Sequence, residues 1–83
     1  MVEFAHMSLA ERIARVMAGE ALSSNANGSD PSAGGKVDQA WREHVPEALA
    51  VLHAIREPDE AAASAGDPAI WQRMVEASIA ASE

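Results

Sequence analysis

Residues 41–79, WREHVPEALAVLHAIREPDEAAASAGDPAIWQRMVEASI, are the stretch that decides the fold. Leu49, Leu52 and Ile55 recur at every third residue, and this spacing places them on one apolar face of a helix. A second apolar face, further along, consists of Ile70, Trp71, Met74, Val75 and Ile79. No segment alternates apolar and polar residues with a period of two, so the stretch predicts an all-α fold.

Prolines and a glycine mark where these helices begin and end. Pro46 either kinks a continuous helix or occupies the first turn of a new one, because its nitrogen carries no hydrogen. Pro58 is expected to end that helix and to open a short one, which Gly66 closes in a left-handed cap. Asp67 is expected to cap a last helix over residues 68–81.

The N-terminal half of the chain predicts one further helix. Residues 1–7 form a short tail, after which Ser8 and Glu11 have the spacing of a capping box. In that motif each side chain satisfies a free backbone N–H at the helix start. The helix is expected to run to about Leu22. Its apolar face consists of Leu9, Ile13, Val16 and Met17.

Residues 23–36, SSNANGSDPSAGGK, are rich in turn-forming residues and lack large apolar ones, which predicts a long flexible loop. Asp38 is then expected to cap the helix that carries Trp41. The sequence therefore predicts a single helical domain over residues 1–83, with 38–81 as its best-defined part. This domain is a small bundle of three main helices plus one short helix.

The composition predicts a thin core. Only 15 of the 83 residues are Leu, Ile, Val or Phe, whereas 19 are Ala. A chain of this length buries only about 60% of the surface that its unfolded form exposes. We therefore expect a monomer of marginal stability, which a partner surface or self-association into a homodimer would stabilise.

The chain carries 13 acidic and 6 basic side chains, a net charge of −7. Phosphate backbones and anionic membranes repel such a chain, so the expected partner is a protein with a basic surface and not nucleic acid or a membrane. Charged residues interrupt residues 1–20, which argues against a signal peptide. The chain has no cysteine, and a cytoplasmic protein is expected.

The sequence favours no catalytic, metal or cofactor site. His44 and His53 are nine residues apart, which is neither the spacing of a helical metal-binding pair nor that of a zinc finger. His6 lies in the tail, so all three histidines are expected to be surface or structural residues. Ser23 and Ser24 lie in the predicted loop without the partners of a catalytic triad. We therefore expect a protein that is not an enzyme and that holds no cofactor.

Two groups of side chains remain as candidates for binding. Trp41 and Trp71 are either core residues or binding hot spots, and Trp71 is expected to be the more buried because Met74 and Val75 surround it. The second group, the acidic corner, is either a solvated surface or a face that binds a basic protein surface. It consists of Glu43, Glu47, Glu57, Asp59 and Glu60.

A resemblance to a known family covers about residues 38–81. This part contains Trp41, then Arg56-Glu57-Pro58, Ala65-Gly66, Trp71 and Met74-Val75. The pattern resembles a family of short uncharacterised helical proteins from alphaproteobacteria and their phages. In that family it reads W-x-x-Y, R-E-P-T, A-G and W-x-x-M-I-x-A-A.

This chain departs from the family pattern at three positions, since His44 replaces Tyr, Asp59 replaces Thr and Ala62 replaces Met. The family brings no assigned activity. The resemblance implies a small helical protein carried by phages or mobile elements. Small acidic proteins in that setting are often inhibitors of host nucleic-acid-handling complexes, anti-CRISPR proteins among them.

Overall fold

The computed structural model describes residues 6–25 and 33–82, and every regular element in them is helical. The elements are α1 (Leu9–Asn25), α2 (Ala33–Ala40), a 3-10 helix (Trp41–His44), α3 (Val45–Ala54), α4 (Glu60–Ala65) and α5 (Pro68–Ser82). The second, third and fourth of these follow one another without a break. The described residues therefore form three main helical runs and one short helix, and the predicted all-α fold is confirmed.

Helix α1 begins where the sequence predicts and ends later. The backbone N–H of Glu11 donates to Ser8 Oγ at 3.1 Å, which satisfies one of the free donors at the helix start. Residues 23–25 continue α1, and residues 33–36 belong to α2, although the sequence assigns both segments to the loop. The rest of the predicted loop, residues 26–32, and the tail residues 1–5 lie outside the described part of the chain.

Tertiary contacts explain why α2 is helical despite its glycines. Asp38 lies inside α2 and does not cap it; its Oδ1 accepts a hydrogen bond from Arg15 Nη1 on α1 at 2.6 Å. A Cβ placed on Gly19 would lie 3.8 Å from Cγ2 of Val37, so the two helices pack in direct contact. Each helical glycine costs about 1 kcal/mol relative to alanine, and this packing offsets that loss.

Pro46 lies in the first turn of a new α-helix, α3, which is the second of the two predicted alternatives, and the 3-10 helix leads into α3 without a break. Pro46 is the second residue of α3, and the turn before it is tightened into the 3-10 helix. The N–H of Val45 donates to the carbonyl of Arg42, three residues earlier. A proline ring clashes with the carbonyl four residues before it, and the tightened turn accommodates that clash.

Aspartate side chains start both remaining helices. Asp59 Oδ1 accepts from the N–H of Ala62 at 2.8 Å and caps α4, while Asp67 Oδ1 accepts from the N–H of Ala69 at 2.9 Å and caps α5. The prediction that Gly66 takes a left-handed conformation is wrong. Gly66 is extended, with φ −159° and ψ −159°, because the chain runs from α4 directly into the cap of α5.

Small residues form much of the core. Helix α1 packs against α2, the 3-10 helix, α3 and α5, and α3 packs against α5. The prediction that Val16 belongs to the buried face of α1 is wrong, since Val16 is 66% exposed. Alanines spaced by four residues face inward instead, because they allow a close approach between helices. The buried residues are Ala10, Ala14, Ala18, Ala48, Leu52, Val75 and Ile79.

Helix α5 buries only its C-terminal half. Val75 and Ile79 join the core, but Ile70, Trp71 and Met74 are 46%, 39% and 63% exposed. The prediction that Trp71 is the more buried tryptophan is therefore wrong. The short helix α4 packs much less closely against the other described helices than these do against one another, so it leaves much of the first half of α5 uncovered. Among the described helices, none has the length and apolarity that a membrane span requires.

Candidate protein-binding surface

An apolar groove opens between α4 and the first half of α5. Its volume is about 210 Å³. That is below the roughly 300–1,000 Å³ typical of small-molecule sites, so the groove suits individual side chains of a larger partner. It is lined by Pro58, Ala62, Gly66, Asp67, Pro68, Ile70, Trp71 and Met74.

Trp71 is held in place within this groove. Its Nε1–H donates to the carbonyl oxygen of Ile55 at 2.8 Å, which ties α5 to the C-terminal end of α3. The same bond satisfies a carbonyl at the end of a helix, where no partner within the helix exists. The indole therefore presents a fixed, partly exposed surface.

Part of the acidic corner borders the same tryptophan. Glu57 and Asp59 line an adjoining depression of about 290 Å³, and Trp71 forms another part of its wall. Pro58 and Ala62 line both the groove and the depression, which therefore lie side by side.

The structure divides the acidic corner into two groups. Glu43 and Glu47 lie at the N-terminal end of α3, whereas the other three acids, the α3–α4 acidic patch, follow its C-terminal end. The ten residues of α3 span about 15 Å. This length exceeds the Debye length of about 8 Å at physiological salt, so the two groups act as separate surfaces. The α3–α4 acidic patch consists of Glu57, Asp59 and Glu60.

Most of these carboxylates are unpaired. Within the described residues, Glu43, Glu57 and Glu60 form no side-chain hydrogen bond or salt bridge. Asp59 directs one oxygen to the N-terminus of α4, where the positive end of the helix favours a carboxylate. Glu47 Oε1 lies 3.4 Å from His44 Nδ1, a contact that becomes an ion pair when the imidazole is protonated.

Arg56, the basic residue nearest to the α3–α4 acidic patch in the sequence, pairs with a carboxylate outside the patch. Arg56 Nη1 lies 3.9 Å from Oε1 of Glu76 on α5, and both side chains are about half exposed. A contact of this length between exposed groups contributes at most about 1 kcal/mol. Arg56 therefore leaves the patch with negative charge facing solvent.

Trp41 has the opposite electrostatic surroundings. The guanidinium carbons of Arg15 and Arg42 lie 5.3 and 4.7 Å from the centroid of its ring, within the range of cation–π interactions. Arg15 also binds Glu11 Oε2 at 2.8 Å in addition to Asp38. The hydrogen bond to Asp38, followed by that to Glu11, raises the pKa of the Arg15 guanidinium above its ordinary value. Trp41 is thus covered by cations and half-buried.

The histidines and a second hollow, beside Trp41, lie apart from the groove. Within residues 6–25 and 33–82, no three His, Cys, Asp or Glu side chains are grouped so that they could hold a metal ion. His44 Nδ1 and Ser82 Oγ are buried without a hydrogen-bond partner. The hollow beside Trp41, of about 410 Å³, is lined by Ser8, Ala10, Glu11, Trp41, Arg42, Val45, Ala81 and Ser82.

The apolar groove is the feature that sequence reasoning missed. The sequence places Ile70, Trp71 and Met74 on one helical face and leaves Trp71 as either a core residue or a binding hot spot, but it does not predict a groove. The sequence of α4, EAAASA, indicates that the apolar face of α5 stays exposed, because a helix of such small side chains cannot cover it. Comparison of the chain with protein-family models, curated proteins and solved structures finds no match. The resemblance of residues 38–81 to phage-associated proteins therefore stays a prediction.

Proposed function

We propose that this protein is a non-catalytic binding module, which recognises a protein partner with a basic surface through its α3–α4 acidic patch. The observation that carries the proposal is the exposure of Glu57, Asp59 and Glu60 without a neutralising base in the described residues. Three carboxylates within four positions of the chain form a local negative field that attracts cationic surfaces.

Charge of this kind acts mainly on specificity and on the rate of association. Opposite potentials on two partners steer their encounter, and the attraction falls as salt screens it. The net charge of −7 supports the same choice of partner, because it disfavours phosphate backbones as direct ligands.

A narrower proposal concerns the process in which the partner takes part. An acidic surface can occupy a site that normally binds nucleic acid, and the resemblance to phage-associated proteins supports this setting. We propose that the partner is a host nucleic-acid-handling complex and that this protein inhibits it, as anti-CRISPR proteins do. Competition between this protein and nucleic acid for the captured partner tests the narrower proposal, and simultaneous binding of both would overturn it.

The proposal is tested by charge reversal against a matched control. The protein is used to capture partners from its native host, and the affinity for the captured protein is measured at low and high salt. The variant Glu57→Lys/Glu60→Lys is expected to weaken binding at least tenfold. The control Glu20→Lys/Glu43→Lys changes the net charge equally at exposed positions elsewhere and is expected to have a much smaller effect.

Two results would contradict the proposal. One is an affinity that is the same at both salt concentrations and in both double variants. The other is a homodimer that forms at low micromolar concentration in sedimentation experiments and has the same strength in the Glu57→Lys/Glu60→Lys variant. That result would favour the self-associating accessory protein that the thin core also predicts.

A further inference from the structure

We infer that the apolar groove between α4 and α5 receives an amphipathic helical segment of the partner, whose apolar side chains enter the groove and whose flanking residues are basic. This inference rests on the proposed function and adds the form of the ligand and the place where it docks. It assigns a role to Trp71, which the charge argument alone leaves unused.

The first observation that supports the inference is the exposed apolar surface of α5. Ile70, Trp71 and Met74 are adjacent on α5 and each is more than a third exposed. Contiguous apolar surface of this kind marks interaction sites on soluble proteins. Tryptophan is the residue most enriched at binding hot spots, and a flexible methionine beside it adapts to different side chains.

The second observation that supports the inference is that the indole of Trp71 is held in a fixed position. The hydrogen bond of 2.8 Å from Trp71 to Ile55 fixes the indole before any partner arrives. A preorganised anchor loses little conformational freedom on binding. The described residues contain no β-strand whose edge could receive an extended peptide, which disfavours strand addition, and a helix laid into the groove is the mode that we infer. Such a helix inserts side chains at positions i, i+3 or i+4, and i+7.

The charges around the groove select the occupant. Asp67 lines the groove, and Glu57 and Asp59 line the adjoining depression, with no basic side chain among the described residues of either wall. A second copy of this chain would bring the same carboxylates face to face, which is unfavourable. Lysine or arginine residues beside the apolar face of a foreign helix would instead pair with them. The groove therefore favours a basic amphipathic partner over self-association.

A synthetic peptide tests the inference without knowledge of the natural partner. The probe is a helix of about 18 residues, about 27 Å long, with leucine on one face and lysine elsewhere. One control peptide has the same composition in an order that destroys the apolar face. A second control has glutamate in place of lysine. Affinity is measured by calorimetry and by the fluorescence of Trp71 in a Trp41→Phe background.

Variants of the protein locate the site. Trp71→Ala and Met74→Ser are each expected to weaken binding of the amphipathic lysine peptide about tenfold or more, as truncation of a hot spot does. The control Val16→Ser alters an equally exposed apolar residue on α1 and is expected to change affinity less than twofold. Circular dichroism establishes that each variant is folded, and Met74→Ser keeps the test valid if Trp71→Ala unfolds.

The outcomes separate this inference from the proposed function. Loss of binding in both groove variants, with weak binding of both control peptides, supports the inference. Equal binding of the ordered and scrambled lysine peptides, with loss only in Glu57→Lys/Glu60→Lys, overturns the groove and leaves the charged patch standing. A dimer that Met74→Ser abolishes would make a second copy the occupant and would also overturn the inference.

Discussion

The two tryptophans of this protein occupy contrasting environments. Trp41 is half-buried beneath the guanidinium groups of Arg15 and Arg42, on the side where α1 and the α2–α3 run pack together. Trp71 is 39% exposed and borders carboxylates on the side where α4 and α5 diverge. Both residues are tryptophans, so the difference in their exposure and in the charges beside them arises from the helices that surround each one.

The side of the molecule where α1 packs against the α2–α3 run, the closed side, contains many small residues. The side between α4 and the first half of α5, the open side, carries large apolar residues. Ala14 and Ala18 are almost fully buried because alanine lets α1 approach its neighbours closely. Met74 is 63% exposed because the short helix α4, on the other side of the groove, carries side chains too small to cover it. In a chain with so many alanines, helix contact buries whichever small residue faces the partner helix. Burial therefore depends on helix packing as well as on hydrophobicity: Leu52, Val75 and Ile79 lie in the core, whereas Ile70, Trp71 and Met74 remain at the surface.

The largest expected effect comes from a cavity in the core. Leu52→Ala removes the largest fully buried side chain and should lower the free energy of unfolding by about 2–5 kcal/mol. The matched truncation Met74→Ala, on the open side, should change it by no more than about 0.5 kcal/mol. Urea denaturation followed by circular dichroism measures both. Similar losses in the two variants would show that the open side is also packed.

An intermediate effect is expected from overpacking the closed side. Ala14→Leu forces a larger side chain between helices in contact and should destabilise the protein by about 1–3 kcal/mol. Ala80→Leu makes the same change at an exposed position of α5 and should be nearly neutral. The midpoints of thermal unfolding compare them. An Ala14→Leu variant as stable as the wild type would refute close packing along α1.

The smallest effect distinguishes the two tryptophans by their surroundings. Trp71→Phe removes the donor to Ile55 and should lower the free energy of unfolding by about 0.5–1.5 kcal/mol.

The Trp71→Phe variant leaves Trp41 as the only tryptophan fluorophore, and the Trp41→Phe variant leaves Trp71. Iodide should quench Trp41 more efficiently than caesium does, because Arg42 lies over its ring without a carboxylate partner among the described residues, whereas the charge of Arg15 is offset by Glu11 and Asp38. Caesium should be relatively more effective on Trp71, and equal quenching ratios in the two variants would contradict the electrostatic contrast.

Local sequence rules predicted the features that depend on neighbouring residues. Ser8 and Asp67 cap helices as expected, because a cap needs only a side-chain oxygen and an N–H two or three residues away. Asp38 has the same capacity, yet it binds Arg15, which is 23 positions away in the chain. The cap rule cannot anticipate a competing partner that the fold brings close.

The candidate site was predicted only in part. The acids of the α3–α4 patch were identified from their density in the sequence, and they remain exposed. Their separation from Glu43 and Glu47 required the length of α3, and their proximity to Trp71 required the packing of α5. An amphipathic face indicates which residues could be buried, but it does not indicate whether another helix covers them.

The sequence by itself determined the all-α class, the proline-marked corners and the negative charge, because these follow from backbone geometry and composition. Only the tertiary structure decided which apolar residues lie inside. Hydrophobic burial requires an opposing surface, and the short alanine-rich helix α4 does not supply one. For that reason Trp71 remains at the surface, whereas Val75 and Ile79 of the same helix, which meet other helices, lie in the core.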